Sequence, residues 1–188
     1  TSGDYREADV ELIINGDFEN GDNFFTSDYT IRMPLAFTNL GTRNITANAP
    51  YAWNNYDSHT GNDHTVGDGI NGKYLIFDGA GNSAQRVWAT PILTPISVKA
   101  NTNYIFSIWV IDNYGSNPPN LAISIGGNSI GVFNVSSVKG AWTKYTSSVW
   151  NSGNNTTATI SIVDNITVIG GNDFGIDDLS LKKAKAPI

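Results

Sequence analysis

The sequence predicts an all-β protein, a two-sheet antiparallel β-sandwich or jelly roll, and two observations lead to that fold class. Apolar and polar residues alternate with a period of two through most of the chain, and nowhere does the i, i+3, i+4, i+7 spacing of an amphipathic helix persist. Turn sequences such as Asn15-Gly16, Gly126-Gly127-Asn128 and Gly170-Gly171-Asn172 separate the alternating segments. Many short strands at this spacing are typical of a sandwich.

The alternation gives a set of candidate strands. They lie at residues 8–14, 29–33, 43–47, 73–78, 84–90, 92–98, 103–112, 120–126, 129–135, 142–150, 156–163 and 173–182. Residues 20–72 alternate less cleanly, which predicts long loops at one end of the sandwich. We therefore predict one module over residues 1–182, followed by a tail or linker over residues 183–188.

Composition excludes two classes of partner. The chain has 188 residues with 11 basic and 17 acidic side chains, a net charge of −6, and only 15% of its residues are charged. Nucleic-acid binding depends on clustered Lys and Arg, so no nucleic-acid partner is expected. No basic amphipathic stretch indicates a membrane surface, so no membrane partner is expected either.

Cysteine is absent, which excludes thiol catalysis and a disulfide scaffold and leaves oxygen as the ligand for any metal. His59 and His64 lack a third partner and do not indicate a transition-metal site. An acidic, Asn- and Thr-rich sandwich without cysteine is typical of secreted bacterial modules, so we expect an extracellular or cell-surface location. The first residues lack a signal-peptide pattern, which indicates a mature or excised piece.

The faces of the predicted strands suggest a sugar-binding surface. In residues 104–110, alternate apolar side chains predict a core face, while Ser107 and Trp109 point the other way. If strands 103–112, 120–126, 142–150 and 156–163 share a sheet, its outer face carries Ser and Thr together with Lys144 and Trp109. Sugar rings stack their apolar faces on such aromatic rings, so Trp109 is a candidate platform. The alternative is that a loop covers Trp109.

Other aromatic residues give further candidates. Simple alternation places Arg86 and Trp88 on one face, which suits a second platform with a hydrogen-bonding partner; the alternative is a Trp88 packed at the sandwich edge under Arg86. Trp142 and Trp150, at the two ends of one strand, are interpreted as structural. Loop aromatics on a rigid sheet scaffold commonly form a binding rim, and the fallback site consists of Tyr51, Trp53, Tyr56 and Tyr114.

Three segments resemble the galactose-binding-like β-sandwich carbohydrate-binding modules, especially those of families 4, 16 and 22. They are residues 12–19 (LIINGDFE), 103–110 (NYIFSIWV) and 174–181 (FGIDDLSL), in that order. Residues 63–69 (DHTVGDG) also resemble surface-associated bacterial relatives. The chain departs from the usual pattern at Phe24-Phe25, where a tryptophan is more familiar, and in its long insert before Gly72.

The resemblance implies a structural calcium ion that joins the first strand to the last. Carried over residue by residue, it implies Glu19 and Asp177 as side-chain ligands, Asp17 as a backbone ligand, and Asp68 as the first choice in the loop of residues 63–73. Carboxylates and backbone carbonyls are the ligands that calcium prefers.

The sequence therefore favours a non-catalytic carbohydrate-binding module, a monomeric part of a larger polysaccharide-degrading or cell-surface protein. Its partner is expected to be a polysaccharide or oligosaccharide. Two other classes stay open. One is a bacterial adhesion or spacer domain, and the other is a jelly-roll glycoside hydrolase or polysaccharide lyase, which would need two carboxylates or a Tyr/Lys/His set facing one cleft.

Overall fold

A computed structural model describes residues 6–35 and 40–185, with all their side chains except those of residues 6–9 and 57. The protein is almost entirely β, with 43% strand and 4% helix, and its sheets pack as an antiparallel sandwich, so the predicted fold class is confirmed. Among the described residues, helix is limited to one turn, α1 (Ala49–Ala52), and a short 3-10 segment (Tyr56–Ser58), because alternation and turn residues dominate the chain. None of the described helical segments has the length and apolar character needed to cross a bilayer.

The larger sheet has the strand order β10-β7-β14-β4-β3-β2, with β1 paired to β14 and β11 paired to β7. The smaller sheet has the order β5-β13-β8-β9, and β6 and β12 form a separate pair. All described pairings are antiparallel except that of β2 with β3. The strands are β1 Arg6–Glu11, β2 Thr30–Ile31, β3 Thr42–Thr46, β4 Tyr74–Asp78, β5 Arg86–Ala89, β6 Ile96–Ser97, β7 Asn103–Asp112, β8 Asn120–Ile125, β9 Asn128–Asn134, β10 Trp142–Thr146, β11 Trp150–Asn151, β12 Thr157–Ala158, β13 Ile160–Asp164 and β14 Asp173–Lys185; α1 is Ala49–Ala52 and the 3-10 segment is Tyr56–Ser58.

The main core lies between the two sheets. Phe106, Ile108 and Val110 of β7 are fully buried there, as the alternation predicted, and Ile123 and Ile162 face them from the smaller sheet. Burying each such side chain contributes roughly 1.5–3 kcal/mol to the hydrophobic term. The sandwich therefore owes its stability to packing, in keeping with the absence of cysteine.

A second, smaller core lies on the outer face of the larger sheet. The segment predicted as loops contains β2, β3 and α1, and it carries Leu35 and Trp53 onto Tyr74, Ile76 and Ile111. Asn48 caps α1 by accepting a hydrogen bond from the backbone N–H of residue 51, at 2.8 Å. This segment thus covers one end of the outer face and leaves the other end open.

Strand ends differ from the prediction where local chemistry intervenes. Only Ile96–Ser97 of the predicted strand 92–98 is extended, because the prolines at 91 and 95 flank a turn. The last strand runs to Lys185, three residues past the predicted module boundary, because its end pairs with β1. The rest of the predicted tail, residues 186–188, lies outside the described residues.

Candidate functional site

Among the described residues, two of the concave surfaces that border the larger sheet are candidates for the site. The first, which we call the sheet-face groove, lies on the open half of the outer face and encloses about 380 Å³. The second, which we call the rim pocket, lies beside the second core and encloses about 480 Å³. The residues that define the groove are Ser107, Trp109, Lys144, Asp178, Ser180 and Lys182. The residues that define the rim pocket are Trp53, Tyr56, His59, Asp78, Tyr114 and Asp173.

The sheet-face groove contains a single large aromatic ring. Ser107, Trp109 and Lys144 share this outer face, as the alternation predicted. Trp109 is only partly exposed because the imidazole of His64 stacks on it, with ring centroids 3.9 Å apart and planes 24° apart. The predicted covering loop is therefore present over part of the ring, and Trp109 offers a restricted platform.

The strands whose Ser and Thr side chains were predicted to share one sheet face belong to two different sheets. The strands at 103–112 and 142–146 belong to the larger sheet, whereas 120–125 and 160–164 belong to the smaller sheet on the other side of the core. Their hydroxyl side chains consequently face opposite sides of the molecule. This difference arises because pairing order, which alternation does not encode, decides which strands share a face.

A β-bulge changes the positions of Arg86 and Trp88. Val163 pairs with Arg86 and Ile162 with Trp88, so the register shifts by one residue at Val87. Trp88 turns into the main core, where it is 2% exposed and stacks on Phe25, and its prediction as a sugar platform is wrong. Arg86 lines neither concave surface.

Arg86 forms an ion pair with Asp28, so its guanidinium is already engaged within the protein. Its guanidinium donates to both carboxylate oxygens of Asp28, at 3.0 and 2.7 Å. The hydrogen bonds from Arg86 hold the pKa of Asp28 below its ordinary value. This pair ties the segment before β2 to the edge strand β5, so Arg86 has a structural role here.

Three of the four predicted loop aromatics meet in the rim pocket. Trp53, Tyr56 and Tyr114 line it, while Tyr51 is 67% exposed and does not. Tyr56 is 45% exposed, and Tyr114 is partly exposed. Trp53 was expected to be an accessible ring but is 1% exposed, because it belongs to the second core.

A histidine that the sequence did not single out for ligand binding organises the pocket. His59 stacks on Trp53 with centroids 3.8 Å apart and planes 5° apart, and its ring lies 5.2 Å from that of Tyr114. On the other side of the pocket, the left-handed backbone at Gly171 lets the chain approach closely, since a Cβ there would lie 2.8 Å from the Tyr114 ring. The aromatic wall is therefore rigidly held.

The hydrogen bonds of His59 fix the orientation of its ring beside Asp173. Nδ1 lies 2.9 Å from the carbonyl oxygen of Tyr56, and Nε2 lies 3.1 Å from Oδ2 of Asp173. A carbonyl only accepts, so Nδ1 donates to it. Both ring nitrogens of His59 are therefore engaged, which holds the ring in the pocket wall.

Asp78 supplies the second carboxyl group of the pocket. It ends β4 directly opposite Asp173 and is 4% exposed. Burial, and secondarily the charge of Asp173, raises the pKa of Asp78 to about 8. Asp78 therefore carries a proton in neutral solution, because no basic group compensates its charge.

Two buried polar atoms of the pocket lining have no hydrogen-bond partner in the protein. They are Nε1 of Trp53, which can only donate, and Oδ2 of Asp78. Leaving such a group unsatisfied costs roughly 1–3 kcal/mol. Both atoms lie beneath the pocket surface, so a ligand in the pocket meets the aromatic wall and not these atoms. The aromatic wall suits a small ring with an apolar face.

Sequence reasoning missed His59, Asp78 and Asp173 as members of this pocket. The sequence does contain a signal for the contact between the two carboxyl groups, because β4 ends in Asp78 and β14 begins with Asp173. Antiparallel pairing of the two strands places these residues opposite each other. The sequence by itself indicates only a turn at Asp78-Gly79. Predicting their meeting requires knowing that the two strands are neighbours.

The residues that the resemblance implies as calcium ligands differ in their burial and in their hydrogen bonds. Asp177 is completely buried and accepts a hydrogen bond from the backbone N–H of His64 at 2.8 Å, and burial raises its pKa to about 8. A cation beside this carboxylate would offset that penalty. Glu19 accepts from the backbone N–H of Lys73 at 2.8 Å, while the Lys73 ammonium donates to the Glu19 carbonyl.

Asp68 has a local role instead. It is exposed, and its Oδ1 accepts hydrogen bonds from the N–H groups of Ile70 and Asn71, both at 2.8 Å. Within residues 6–35 and 40–185, no three His, Asp or Glu side chains are grouped so that they could hold a metal ion. A calcium ion at Glu19 and Asp177 would thus need backbone carbonyls, such as that of Asp17, to complete its shell.

Comparison with solved structures identifies the class to which the fold belongs. The CBM22-1 xylan-binding domain of Xyn10C from Paenibacillus barcinonensis matches with a TM-score of 0.51 and 16% identity, covering 90% of this chain and 92% of that one. A family 16 carbohydrate-binding module matches with a TM-score of 0.51 and 14% identity, covering 90% and 98%. The chain therefore has the β-sandwich fold of carbohydrate-binding modules.

The same fold also occurs in an enzyme. A Stig cyclase from Fischerella sp. TAU, solved with an indole-containing ligand, matches with a TM-score of 0.62 and 12% identity, covering 95% of this chain and 99% of that one. No protein-family model matches the chain, and no curated protein matches it. At these identities the likeness establishes the fold, and function has to be argued from the site.

Proposed function

We propose that this protein is a non-catalytic carbohydrate-binding module that binds the end of a glycan chain in the rim pocket. The observation that carries the proposal is a pocket of about 480 Å³ with two accessible rings on its wall, Tyr56, which is 45% exposed, and Tyr114, which is partly exposed. A sugar ring suits this lining, since its C–H face packs against aromatic rings while its hydroxyl groups hydrogen-bond with the polar groups around them.

The rim pocket suits a glycan better than the sheet-face groove does. The groove has one partly covered aromatic ring, Trp109, among charged side chains that include Glu11, Lys144 and Lys182. The pocket has several rings, and those of Tyr56 and Tyr114 are accessible. A pocket of this shape holds a terminal sugar, whereas a groove holds an internal stretch of chain.

The wider context is also part of the proposal. We place the module outside the cell, in a secreted or cell-surface protein of bacterial type, as a monomeric accessory part of a larger polypeptide. A calcium ion held through Glu19 and Asp177 stabilises the module and does not touch the glycan. The burial of Asp177 without a compensating cation supports this assignment.

Titration calorimetry with neutral oligosaccharides of increasing length tests the site. Tyr114→Ala should lower affinity at least about tenfold, since a few aromatic anchors usually carry the binding energy. Tyr51→Ala is the matched control, because Tyr51 lies on a nearby loop but outside the pocket. Affinity that grows with chain length and is lost in Trp109→Ala would move the site to the sheet-face groove.

An enzyme at the same pocket is the second candidate, and one observation favours it. A buried Asp78 with its pKa raised to about 8 can deliver a proton at neutral pH. Two carboxyl groups, of Asp78 and Asp173, reach this pocket. A reducing-sugar assay on the bound oligosaccharides distinguishes the candidates, because product formation that Asp78→Asn abolishes would establish an enzyme.

A further inference from the structure

Another concave surface, which we call the end slot, lies at one end of the main core and encloses about 400 Å³. Its walls come from the larger sheet and from the segment that follows β6. Small-molecule sites commonly enclose about 300–1,000 Å³, so the slot has room for a small ligand. The residues that define the end slot are Val10, Leu12, Val98, Lys99, Tyr104 and Lys183.

The walls of the end slot are mainly apolar. Val98 and Tyr104 are buried members of the main core, and Leu12 packs against that core. Val10 completes the wall and is 69% exposed to solvent. The slot therefore leaves apolar surface in contact with water at the end of the core, and a ligand with an apolar body would be stabilised by covering it.

Hydrogen bonds hold one wall of the end slot in place. The backbone N–H of Lys99 donates to the hydroxyl oxygen of Tyr104 at 2.8 Å, and the hydroxyl of Ser152 donates to the Lys99 carbonyl at 2.6 Å. The backbone N–H of Val98 donates to the carbonyl of Thr156 at 3.0 Å. Because this wall is already fixed in the free protein, a ligand does not have to order it on binding.

The charged side chains at the end slot are both lysines. Lys99 and Lys183 are exposed, and no Asp or Glu is among the described residues that line the slot. Within the part of the chain that the structure describes, no carboxylate forms an ion pair with either lysine. The slot is therefore a local positive site on a chain whose net charge is −6.

Strand alternation separates the nearest acidic side chain from the slot. Glu11 and Lys182 line the sheet-face groove, where Oε2 of Glu11 lies 4.0 Å from Nζ of Lys182. Their chain neighbours Val10, Leu12 and Lys183 line the end slot on the other face of the same strands. The carboxylate of Glu11 is thus directed away from the slot, while the two apolar side chains beside it in sequence form the wall.

We infer that the end slot binds an aliphatic monocarboxylate of medium chain length. The alkyl chain packs against Val10, Leu12 and Val98. The carboxylate accepts hydrogen bonds from the ammonium groups of Lys99 and Lys183. An alkylammonium ion is repelled by the two lysines, and a neutral alkanol gains only the apolar contact. The end slot shares no lining residue with the rim pocket, so this inference is independent of the proposed function.

Titration of the protein with sodium octanoate at pH 7, followed by proton–nitrogen correlation NMR, tests the inference. The backbone amide signals of Val98, Lys99 and Tyr104 should shift saturably, and octylammonium and 1-octanol should bind at least about tenfold more weakly. Affinity should rise about threefold to fourfold with each methylene from butyrate to octanoate, because each added group leaves water. No saturable shift, affinity independent of chain length, or equal binding of octylammonium would each overturn the inference.

Substitutions at exposed positions test the assigned contacts. Lys183→Gln should weaken octanoate binding at least about threefold. Lys182→Gln is the matched control, because it removes the same charge from the other face of β14 and should keep octanoate affinity. An equal loss in both variants would reflect net charge alone and would overturn the inference.

The apolar wall has its own pair of variants. Val10→Asp should lower octanoate affinity at least about tenfold, because it removes an apolar contact and places a carboxylate beside the lysines. Val132→Asp is the matched control, since Val132 is 51% exposed on β9 and lies outside the slot. Parent-like octanoate binding by Val10→Asp would overturn the inference, and the glycan site in the rim pocket would stand unaffected.

Discussion

Asp78 and Asp173 lie directly opposite each other on β4 and β14, so two carboxyl groups from adjacent strands reach one pocket. Like charges placed opposite each other destabilise a sheet. The structure relieves this repulsion in two ways, because His59 hydrogen-bonds to Asp173 and burial raises the pKa of Asp78 to about 8. The charge of the pocket therefore responds to pH.

The first prediction concerns stability against pH. The pKa of Asp78 rises from 3.8 to about 8 on folding, so the folded state holds this proton more tightly than the unfolded state. The stabilising contribution of protonated Asp78 is complete below about pH 4 and is lost as the pH rises to about 8. Each unit of difference between the folded and unfolded pKa corresponds to roughly 1.4 kcal/mol.

Asp78→Asn removes this titration. We expect the free energy of unfolding of the parent, relative to the variant, to fall steadily between pH 4 and pH 8, as measured by urea denaturation with added salt held constant. Asparagine keeps the side-chain size, so packing is little changed. A difference between the two proteins that stayed constant across this range would show that Asp78 ionises normally in the folded state.

The second prediction concerns the buried ring of Trp53. Trp53→Phe keeps an aromatic ring in the second core, so it should fold, and its glycan affinity should stay close to that of the parent because Nε1 is buried out of reach of a ligand. Trp53→Ala should cost about 3–5 kcal/mol of stability, since a fully buried ring is lost. A folded Trp53→Phe protein that binds glycan clearly more weakly than the parent would show that Nε1 does meet the ligand.

The third prediction follows from the corrected position of Trp88. Its ring stacks on Phe25 with centroids 6.4 Å apart inside the main core, so Trp88→Ala should lower the free energy of unfolding by about 3–5 kcal/mol. Glycan affinity of the folded variant should match the parent. A stable Trp88→Ala protein that has lost glycan binding would restore the sequence-based interpretation.

The faces of the strands could be predicted from the sequence only where the residue pattern continues without a bulge. The two faces of β7 (Asn103–Asp112) were predicted correctly because the strand pairs with β10 without a bulge, so successive side chains keep pointing to opposite faces. The face of Trp88 was predicted wrongly. The bulge at Val87 inserts one residue, so Trp88 lies on the opposite face from the one that simple alternation predicts. A single bulge leaves no clear mark in the residue types of a four-residue strand.

The candidate site depended on non-local contacts and was predicted only in part. The sequence predicted Tyr56 and Tyr114 as loop aromatics of a binding rim, and both side chains line the rim pocket. The burial of Trp53 could not be anticipated, because it results from packing with Leu35 and Ala49 on the outer sheet face. His59 and Asp173 are 114 residues apart, and only the fold brings them into contact.

The fourth prediction concerns the Arg86–Asp28 pair. Arg86→Ala should change stability by less than about 1 kcal/mol, because both side chains are well exposed to solvent and water screens the pair. It should also leave glycan affinity unchanged, since Arg86 lines neither concave surface. A loss of affinity in thermally intact Arg86→Ala would locate a binding surface on the outer face of the smaller sheet.

The last prediction is that calcium raises the thermal stability of the protein through Glu19 and Asp177. An ion that binds only the folded state stabilises it by mass action, by about 2.7 kcal/mol at a hundred times the dissociation constant. The buried carboxylate of Asp177 gains most, because the ion would supply the compensating charge that holds its pKa down. Differential scanning calorimetry should therefore show a higher Tm in calcium than in excess EDTA, and Asp177→Asn should abolish the difference. Asp68→Asn should retain it, because the oxygens of Asp68 serve its own turn at Ile70 and Asn71. An unchanged Tm for the parent protein would show that no stabilising calcium binds, whereas loss of the shift in Asp68→Asn would place the ion in the loop of residues 63–73 instead.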